Sequence, residues 1–301
     1  MTRRTFLTGA TLAGANAAVA APAMDWPARL GIMCLLTATE EASRQTLAAA
    51  AQAGFHRIQV NFPWNRVDAA YLKALPGWIR AEGLRCDVLG AYVNCASPDT
   101  VMMATRREDF ARALDYAGKL EARRLTAWTG SFSADLMKAD PRNAAPAGAE
   151  GIVRFLDPWL PKLESARLTL ALETYITLVC PDADSLRKLL DRLSARIGAV
   201  LDPPNLTPIA RYAERDAVLR EMIRTLRGRV AVVHMKDFRL AQGDRYELPG
   251  PLMGEMNYPL FLRNVAALPG DVPLIAEHLQ PAQFAEARRQ LLALAASSRG
   301  E

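Results

Sequence analysis

The feature that most constrains the fold is the alternation of short apolar runs with helix-like segments along the chain after residue 23. Each run of this kind has the length and composition of a strand, and a segment of helical periodicity follows it. The predicted strands are 29–35, 55–62, 84–93, 124–129, 168–176, 197–202, 230–238 and 272–279. Strands and helices that alternate in this number are what a closed (β/α)8 barrel requires, so the sequence predicts a single TIM barrel over residues 24–301.

Local signals place several helix ends and one long loop. Thr37 and Glu40 form a capping-box pattern, and Asn65 is predicted to cap the helix after the second strand. Pro76 predicts a kink or a break in that helix. Residues 130–149 are rich in Asp, Asn, Pro and Gly and predict a long loop, which is either a lid or site wall or a plain surface excursion.

The N-terminal segment is predicted to be a targeting signal. Arg3 and Arg4 precede a mild Ala/Gly/Thr run with small-residue cleavage sites near Ala20 and Ala23, a pattern that resembles a twin-arginine export signal. An uncleaved membrane anchor is the alternative, but the run is short and weakly apolar. The sequence therefore predicts residues 1–23 as a signal peptide, a periplasmic location, and no stable membrane association after cleavage.

Composition narrows the classes of partner. The formal net charge of +5 is spread along the chain without a basic block, which predicts no nucleic-acid partner. A hydrophobic content of 50% is enough for one large core. The cysteines lack CxxC spacing and are predicted to be buried free thiols. The oligomeric state stays open, a homodimer or tetramer included.

The last four predicted strands end in residue types that are common in metal sites. Apolar runs lead into Glu173, Asp202, His234 and Glu277. A carboxylate at the end of a buried strand is costly unless it is paired or binds a cation. Each acid could instead pair with an arginine or cap a helix, and a lone histidine could be a hydrogen-bonded core residue. Because the strand ends of a barrel meet at its C-terminal mouth, we predict that the four side chains share one divalent metal ion.

Lys236 is the next candidate, because side chains two residues apart lie on the same face of a strand and His234 precedes it by two. It could contact a substrate oxygen and stabilise developing negative charge, or it could pair with Asp237 or a strand-end acid. Other residues are weaker candidates. His278 either helps to shape the mouth beside Glu277 or is a hydrogen-bonded supporting residue. Trp64 and Trp128 could stack on a sugar ring, but packing at the top of the barrel is the favoured interpretation. Arg239 and His56 are interpreted as surface and structural residues.

Five motifs resemble the xylose isomerase-like TIM barrel superfamily, specifically its sugar phosphate isomerases and epimerases, the branch of D-tagatose 3-epimerase and inosose dehydratase relatives. The motifs are ALET at 171–174, LDPPN at 201–205, VHMKD at 233–237, GEMNY at 254–258 and IAEH at 275–278. The similarity spans essentially the whole mature chain. Its most specific element is the order Glu, Asp, His, Glu on the last four strands.

The resemblance implies a cofactor and a chemistry. One divalent cation would be held by Glu173, Asp202, His234 and Glu277, and Mn²⁺, Mg²⁺, Co²⁺ and Zn²⁺ all suit these ligand types. The implied reaction is proton abstraction next to a carbonyl through an enediolate, with Glu173 and Glu277 as the catalytic residues. The expected substrate is a small-molecule carbohydrate, and export favours a non-phosphorylated sugar, keto-sugar or inositol derivative.

Several activities fit this pattern. Isomerisation and epimerisation stay open, and the alternatives are a metal-dependent sugar dehydratase or lyase of the same superfamily and a non-catalytic carbohydrate-binding barrel. A multi-metal phosphodiesterase of similar fold is disfavoured because those sites use many histidines, and this chain has 3.

Two positions depart from the pattern of the resembling family. Several epimerases of this type have a histidine three residues after the strand-six aspartate, where this chain has Asn205. A glutamate common near the end of strand two is replaced in the region from Gln59 to Asn61. An amide can hydrogen-bond a hydroxyl but cannot shuttle a proton, so Asn205 is predicted to bind substrate without taking part in proton transfer. Lys236 is the other predicted substrate-binding residue.

Overall fold

The structure, a computed structural model, describes residues 24–242, 245–269 and 271–297. The signal peptide predicted for residues 1–23 lies outside the described residues, so export stays a prediction. None of the helices within the described ranges combines the length and the apolar character needed to cross a membrane.

The described strands form a closed barrel and one small hairpin. The barrel order is β1-β10-β7-β6-β5-β4-β3-β2, and every neighbouring pair that the structure describes in it is parallel. The predicted (β/α)8 barrel is therefore confirmed. The strands are β1 (Leu30–Leu35), β2 (Arg57–Asn61), β3 (Arg85–Asn94), β4 (Arg124–Trp128), β5 (Thr169–Glu173), β6 (Ile197–Leu201), β7 (Val230–Met235), β8 (Arg239–Ala241), β9 (Arg245–Glu247) and β10 (Leu274–Ala276).

Helices alternate with the barrel strands and surround them. They are α1 (Trp26–Arg29), α2 (Glu40–Gln52), α3 (Ala69–Ala81), α4 (Thr100–Lys119), α5 (Pro146–Leu156), α6 (Leu160–Ser165), α7 (Ala183–Leu190), α8 (Pro203–Leu206), α9 (Arg215–Leu226), α10 (Tyr258–Val265) and α11 (Phe284–Ser297). Short 3-10 turns cover Pro141–Ala144, Asp157–Trp159, Ile209–Glu214 and Pro281–Gln283. The predicted long loop 130–149 is thus shorter, because it contains a 3-10 turn and the start of α5.

The main core lies between the strands and the helices, while a smaller buried cluster consists of strand residues alone. Such a cluster is expected in the interior of a packed barrel. At the N-terminal end of the barrel, the buried carboxylate of Asp87 lies 2.9 Å from Arg57 Nη1 and 2.6 Å from Arg85 Nε. These ion pairs satisfy a buried charge at the end of the barrel opposite to the predicted site.

Two predicted helix caps were wrong. Helix α2 begins after Thr39, whose side chain makes no capping hydrogen bond, rather than after Thr37. Helix α3 begins after Asp68 and not after Asn65, because the Asp68 carboxylate accepts a hydrogen bond from Tyr71 N at 2.8 Å. An acid in the cap position satisfies a helix N–H that would otherwise lack a partner.

Pro76 does not interrupt α3, which continues from Ala69 to Ala81. A proline inside a helix leaves the carbonyl four residues earlier without its backbone donor. That carbonyl belongs to Leu72, and it accepts a hydrogen bond from the Tyr116 hydroxyl at 2.6 Å. A side chain of α4 therefore replaces the missing helix hydrogen bond, a long-range compensation that local sequence rules do not contain.

The region after β7 differs from the prediction. The barrel strand ends at Met235 instead of continuing to Phe238, and the antiparallel hairpin β8–β9 follows it. The hairpin carries Arg239, whose Nε lies 2.6 Å from Glu247 Oε2 across the two strands. Both side chains are about half exposed, so this pair belongs to the surface, as interpreted for Arg239.

Candidate metal centre

The four side chains predicted to bind a metal meet at the C-terminal mouth of the barrel. Glu173 is the last residue of β5, Asp202 follows β6, His234 lies in β7 and Glu277 follows β10. These strands are consecutive neighbours around the barrel, which explains the convergence. All four residues are at most 4% exposed, so their charges need partners inside the protein.

The Nδ1 atom of His234 is the centre of the group. It has no hydrogen-bond partner, although it is buried. Carboxylate oxygens of three residues surround it, at 3.5 Å for Glu173 Oε2, 3.7 Å for Asp202 Oδ2 and 3.4 Å for Glu277 Oε2. The unpaired imidazole nitrogen and the three carboxylates that face it are arranged as the ligands of one metal ion would be.

The donor set fits a divalent cation. Ligand atoms of Glu173, Asp202 and His234 all lie within 4.8 Å of one another, and these residues could hold a metal ion. Glu277 is not part of that triad, but its carboxylate also faces His234. Carboxylate oxygens and one imidazole suit Mg²⁺, Mn²⁺, Co²⁺ and Zn²⁺, so the donors alone do not select one metal.

Burial and the neighbouring negative charges have opposite effects on the pKa of His234. Burial alone would lower its pKa, but the nearby carboxylates of Glu277, Glu173 and Asp202 outweigh burial and raise the pKa to about 10. The field of the carboxylates therefore favours a positive charge at this position. A proton on the imidazole and a bound metal ion are two ways to supply it.

Lys236 is buried beside two of the four residues. Its ammonium Nζ lies 2.8 Å from Asp202 Oδ2 and 2.9 Å from Glu277 Oε1. Burial alone would lower the pKa of Lys236, but these carboxylates outweigh burial and raise it. In turn, Lys236 and His234 together outweigh the burial of Asp202 and lower the pKa of that carboxyl group to about 2. Lys236 and Asp202 are therefore both charged at neutral pH.

Neutral donors hold Glu173. Asn205 Nδ2 donates to its Oε1 at 2.9 Å, and the Tyr92 hydroxyl donates to its Oε2 at 2.9 Å. Asn205 reaches this position because the short helix α8 begins directly after Asp202. The amide predicted to bind substrate thus contacts a carboxylate, and it also lines the cavity at the mouth.

Sequence analysis missed Tyr92 and did not assign a role to Gln59. Gln59 Oε1 lies 3.0 Å from His234 Nε2, and Gln59 Nε2 donates to the Tyr92 hydroxyl at 3.0 Å. Tyr92 has a positive φ of 43°, which is uncommon for an aromatic residue and lies where the pairing of β3 with β4 is irregular. Burial and the negative charges of Glu173 and Glu277 raise the pKa of Tyr92, so its hydroxyl keeps its proton.

The VHMKD and GEMNY motifs contact each other below the mouth. Asp237 Oδ1 accepts hydrogen bonds from Phe238 N and from Met256 N, each at 2.8 Å. The Tyr258 hydroxyl donates to the carbonyl of Lys236 at 2.9 Å. These bonds fix the backbone that carries Lys236, so the two motifs act together as a support for the centre.

A cavity of about 330 Å³ opens above the centre. Its lining includes Glu173, Asn205, Lys236 and Glu277. Its walls are largely apolar or aromatic, formed by Met33, Tyr92, Trp128, Met137, Tyr175 and Leu248. A larger cavity of about 670 Å³ lies between the segments 139–149 and 176–192 and contains none of the four predicted ligands. Polar groups that converge on the floor of the smaller cavity make it the candidate site.

Of the weaker candidates, some line the cavity and one packs in the protein interior. Trp128 lines the cavity and packs against Tyr92 with ring centroids 5.2 Å apart. His278 also lines it, and its Nδ1 lies 2.6 Å from the carbonyl of Leu248. Trp64 is buried and donates to the carbonyl of Gly90 at 3.0 Å, so it packs rather than contacts the cavity. Met137 makes the loop 130–149 part of the site wall.

The sequence matches a family model described as xylose isomerase-like TIM barrel over residues 47–294. Among curated proteins, no sequence matches this chain significantly.

Solved structures share the fold at low sequence identity. L-Ribulose 3-epimerase is 17% identical with a TM-score of 0.69, over 90% of this chain and 95% of that one. D-Psicose 3-epimerase, solved in the presence of D-fructose, is 16% identical with a TM-score of 0.66, over 91% and 100%. An IOLI protein with a bound zinc atom is 12% identical with a TM-score of 0.67, over 90% and 99%. At these identities, the likeness establishes the fold alone.

Proposed function

The chain belongs to the xylose isomerase-like TIM barrel family, and from this premise we propose that it is a divalent-metal-dependent isomerase or epimerase. Its substrate is a small, non-phosphorylated carbohydrate, such as a sugar, a keto-sugar or an inositol derivative. The reaction is proton abstraction next to a carbonyl, through an enediolate. Solved relatives named as 3-epimerases of D-psicose and L-ribulose support this choice of reaction class.

One observation carries the proposal. The unpaired Nδ1 of His234 faces oxygens of Glu173, Asp202 and Glu277, and two of these acids, Glu173 and Glu277, line the cavity. A divalent cation held there supplies Lewis acidity, which polarises a substrate carbonyl and makes the neighbouring C–H more acidic. A carboxylate is then a strong enough base for the proton transfer.

Glu173 and Glu277 are the two candidates for moving the proton. Both line the cavity, and they approach it from β5 and β10, which are separated by β6 and β7 in the barrel. If one carboxylate removes a proton and the other, in its protonated form, delivers its own proton to the opposite face, the carbon centre is inverted, whereas delivery of a proton to the adjacent carbon isomerises the sugar. Lys236 lies beside Glu277 with a fixed positive charge, which stabilises negative charge that develops on the substrate oxygens.

The cavity suits an uncharged ligand. Among the described lining residues, Lys236 and His278 are the side chains that could carry positive charge. The ammonium of Lys236 already contacts two carboxylates, and the Nδ1 of His278 is hydrogen-bonded to a backbone carbonyl. A phosphate group needs charged donors that are free to pair with it. Aromatic walls with a few polar groups fit the alternating apolar and hydroxyl faces of a free sugar instead.

We also propose that the protein acts in the periplasm, as the Arg3–Arg4 pattern suggests. Replacement of both arginines by lysine should retain the uncleaved protein in the cytoplasm of a host with twin-arginine export. Cell fractionation and the N-terminal sequence of the exported form would test this. Equal export of the variant and the native chain would exclude that route.

The deciding experiment supplies candidate substrates in deuterated water. The metal-free protein is loaded with Mn²⁺ and incubated with free keto-sugars, aldoses and inososes, and the products are followed by NMR and mass spectrometry. Deuterium at a carbon next to the carbonyl with no loss of water is the expected result. Loss of water would identify a dehydratase instead, and ligand binding without exchange would identify a binding protein. Glu277→Gln should abolish exchange and keep ligand binding.

A further inference from the structure

The side of His234 that faces away from the carboxylates is also occupied. Its Nε2 lies 3.0 Å from Gln59 Oε1, and Gln59 is fully buried in β2. The amide nitrogen of Gln59 donates to the Tyr92 hydroxyl at 3.0 Å and to Asn61 Oδ1 at 3.3 Å. The Tyr92 hydroxyl donates to Glu173 Oε2 at 2.9 Å. A continuous chain of hydrogen bonds therefore runs from His234 to Glu173.

The direction of every donor in this chain follows from its ends. Glu173 is a carboxylate that can only accept, so Tyr92 must donate to it. The hydroxyl has one proton, so its contact with Gln59 must be one in which Gln59 donates. The amide NH₂ therefore points to Tyr92, and the carbonyl oxygen of Gln59 points to His234. An oxygen can only accept, so His234 carries a proton on Nε2.

The opposite orientation of the amide fails at two places. It would put the amide oxygen of Gln59 against the oxygen of Asn61, and turning the Asn61 amide as well would replace its Nδ2 donor to Met33 Sδ at 3.2 Å by an oxygen. It would also require the Tyr92 hydroxyl to donate to Gln59, which would remove the donor from Glu173 Oε2. The network thus admits one tautomer: whenever His234 is neutral, its proton lies on Nε2 and Nδ1 is free to bind a metal.

We propose that Gln59 is a positioning residue that commits His234 to this tautomer and so presents Nδ1 as a metal ligand, while Tyr92 extends the same control to Glu173. This inference rests on the proposed metal-dependent function, but it concerns metal binding and not the sugar. Partners that fix the second nitrogen of a ligating histidine are worth about 10–100-fold in metal affinity or activity.

Two substitutions at Gln59 separate positioning from packing. Gln59→Glu keeps an acceptor for the Nε2 proton but buries a new charge and loses the donor to Tyr92. Gln59→Met keeps a similar volume, adds no charge and loses every hydrogen bond. Positioning predicts that Gln59→Met lowers metal affinity by about 10–100-fold and that Gln59→Glu keeps it. Stability of the metal-free protein should follow the reverse order, because a buried added charge is costly.

The measurement is a titration of the metal-free variants with Zn²⁺ against a chromophoric chelator, with urea unfolding of the same samples in EDTA. Asn61→Asp is the matched control, because it adds the same charge two residues along β2 at a side chain that bonds Gln59 and not His234. Metal affinity that follows stability across Gln59→Glu and Gln59→Met would overturn the proposal. An equal loss in Gln59→Met and Asn61→Asp would overturn it as well.

A second readout observes the tautomer directly. The chain has 3 histidines, so ¹⁵N spectra of the zinc-loaded protein contain few ring signals, and His56→Gln and His278→Gln assign the remaining set to His234. We expect a protonated Nε2 with slow proton exchange in the native protein. Gln59→Met should speed that exchange, and Tyr92→Phe should do so to a smaller extent. A proton on Nδ1 in the zinc-loaded native protein would overturn the inference.

Failure of this inference differs from failure of the proposed function. Zinc bound in the expected rank order, without exchange on any sugar, would reject the isomerase and leave the role of Gln59 standing. Exchange on a sugar, together with a Gln59→Met variant that binds zinc as tightly as the native protein, would support the isomerase and reject the role of Gln59. A native protein that binds no divalent ion would reject both.

Discussion

The ammonium of Lys236 lies 2.9 Å from Glu277 Oε1, while the other oxygen of the same carboxylate faces His234 Nδ1 at 3.4 Å. One carboxylate therefore faces a fixed positive charge and the candidate metal position at once. With His234 neutral, the charges of three carboxylates, one ammonium and a divalent cation sum to zero. A buried centre is most stable when its charges balance, so Lys236 and the cation stabilise the same acids.

The first prediction concerns the removal of that ammonium. Lys236→Met should lower the free energy of unfolding of the metal-free protein by about 3–5 kcal/mol, because Asp202 and Glu277 lose a buried partner. A divalent cation should restore part of this loss. Urea unfolding in EDTA and in excess Mn²⁺ measures both effects. Lys73→Met, at an exposed position of α3, is the control, and an equal loss with and without metal would contradict the charge argument.

The second prediction concerns the two glutamates. Glu173→Gln and Glu277→Gln each keep the volume of the side chain and remove a base, so each should lower kcat by about 10²–10⁴-fold. Glu286→Gln in α11, an exposed carboxylate paired with Arg289, should leave kcat unchanged. Steady-state kinetics on the substrate found by deuterium exchange would measure the three variants. An unchanged kcat in Glu173→Gln or Glu277→Gln would show that the substituted residue does not act as a base in the reaction.

The positions of the polar residues near the strand ends were predictable because the signals are local, although several of the predicted strands extended beyond the observed ones. An apolar run that stops at Glu173, Asp202 or Glu277 shows where a buried strand meets the mouth, and the barrel order then brings the ends together. The matched motifs gave the same four positions. The structure agrees with that placement, with Glu277 near the triad but outside it.

The support of the centre was not predictable, because its contacts join distant parts of the chain. Gln59 contacts a residue 175 positions away, and Tyr92 contacts one 81 positions away. Tyr92 also has a left-handed backbone, which nothing in a strand-like sequence indicates. The Thr37 and Asn65 caps failed for a different, local reason, because several nearby polar residues compete for one helix start.

The third prediction concerns pH. In the metal-free protein, the carboxylates raise the pKa of His234 from 6.5 to about 10. A group with a raised pKa stabilises the folded protein fully below its unfolded value and loses this contribution as pH rises through the folded value. Stability in EDTA should therefore fall between about pH 6.5 and 10, by a few kcal/mol at about 1.4 kcal/mol per pKa unit.

The loss should be smaller in metal-loaded protein, because a bound cation takes the place of the proton. Urea unfolding at a series of pH values, with EDTA and with Zn²⁺, measures the difference. His234→Asn should flatten the metal-free profile over the same range. A metal-free profile in the native protein that is already flat from pH 6.5 to 10 would show that His234 holds no proton there.

The fourth prediction concerns Gly254 in the GEMNY motif. A Cβ at this position would lie 2.5 Å from Asp237 Oδ1 and 2.6 Å from the carbonyl oxygen of Phe238, so Gly254→Ala must displace the backbone after β7. We expect a stability loss of about 1–3 kcal/mol and weaker metal binding, because that backbone continues from β7, which carries His234. Gly118→Ala in α4, where nothing lies within 4 Å, should instead stabilise the protein by up to about 1 kcal/mol. Thermal unfolding and the zinc titration compare the two variants, and native metal affinity in Gly254→Ala would separate this motif from the centre.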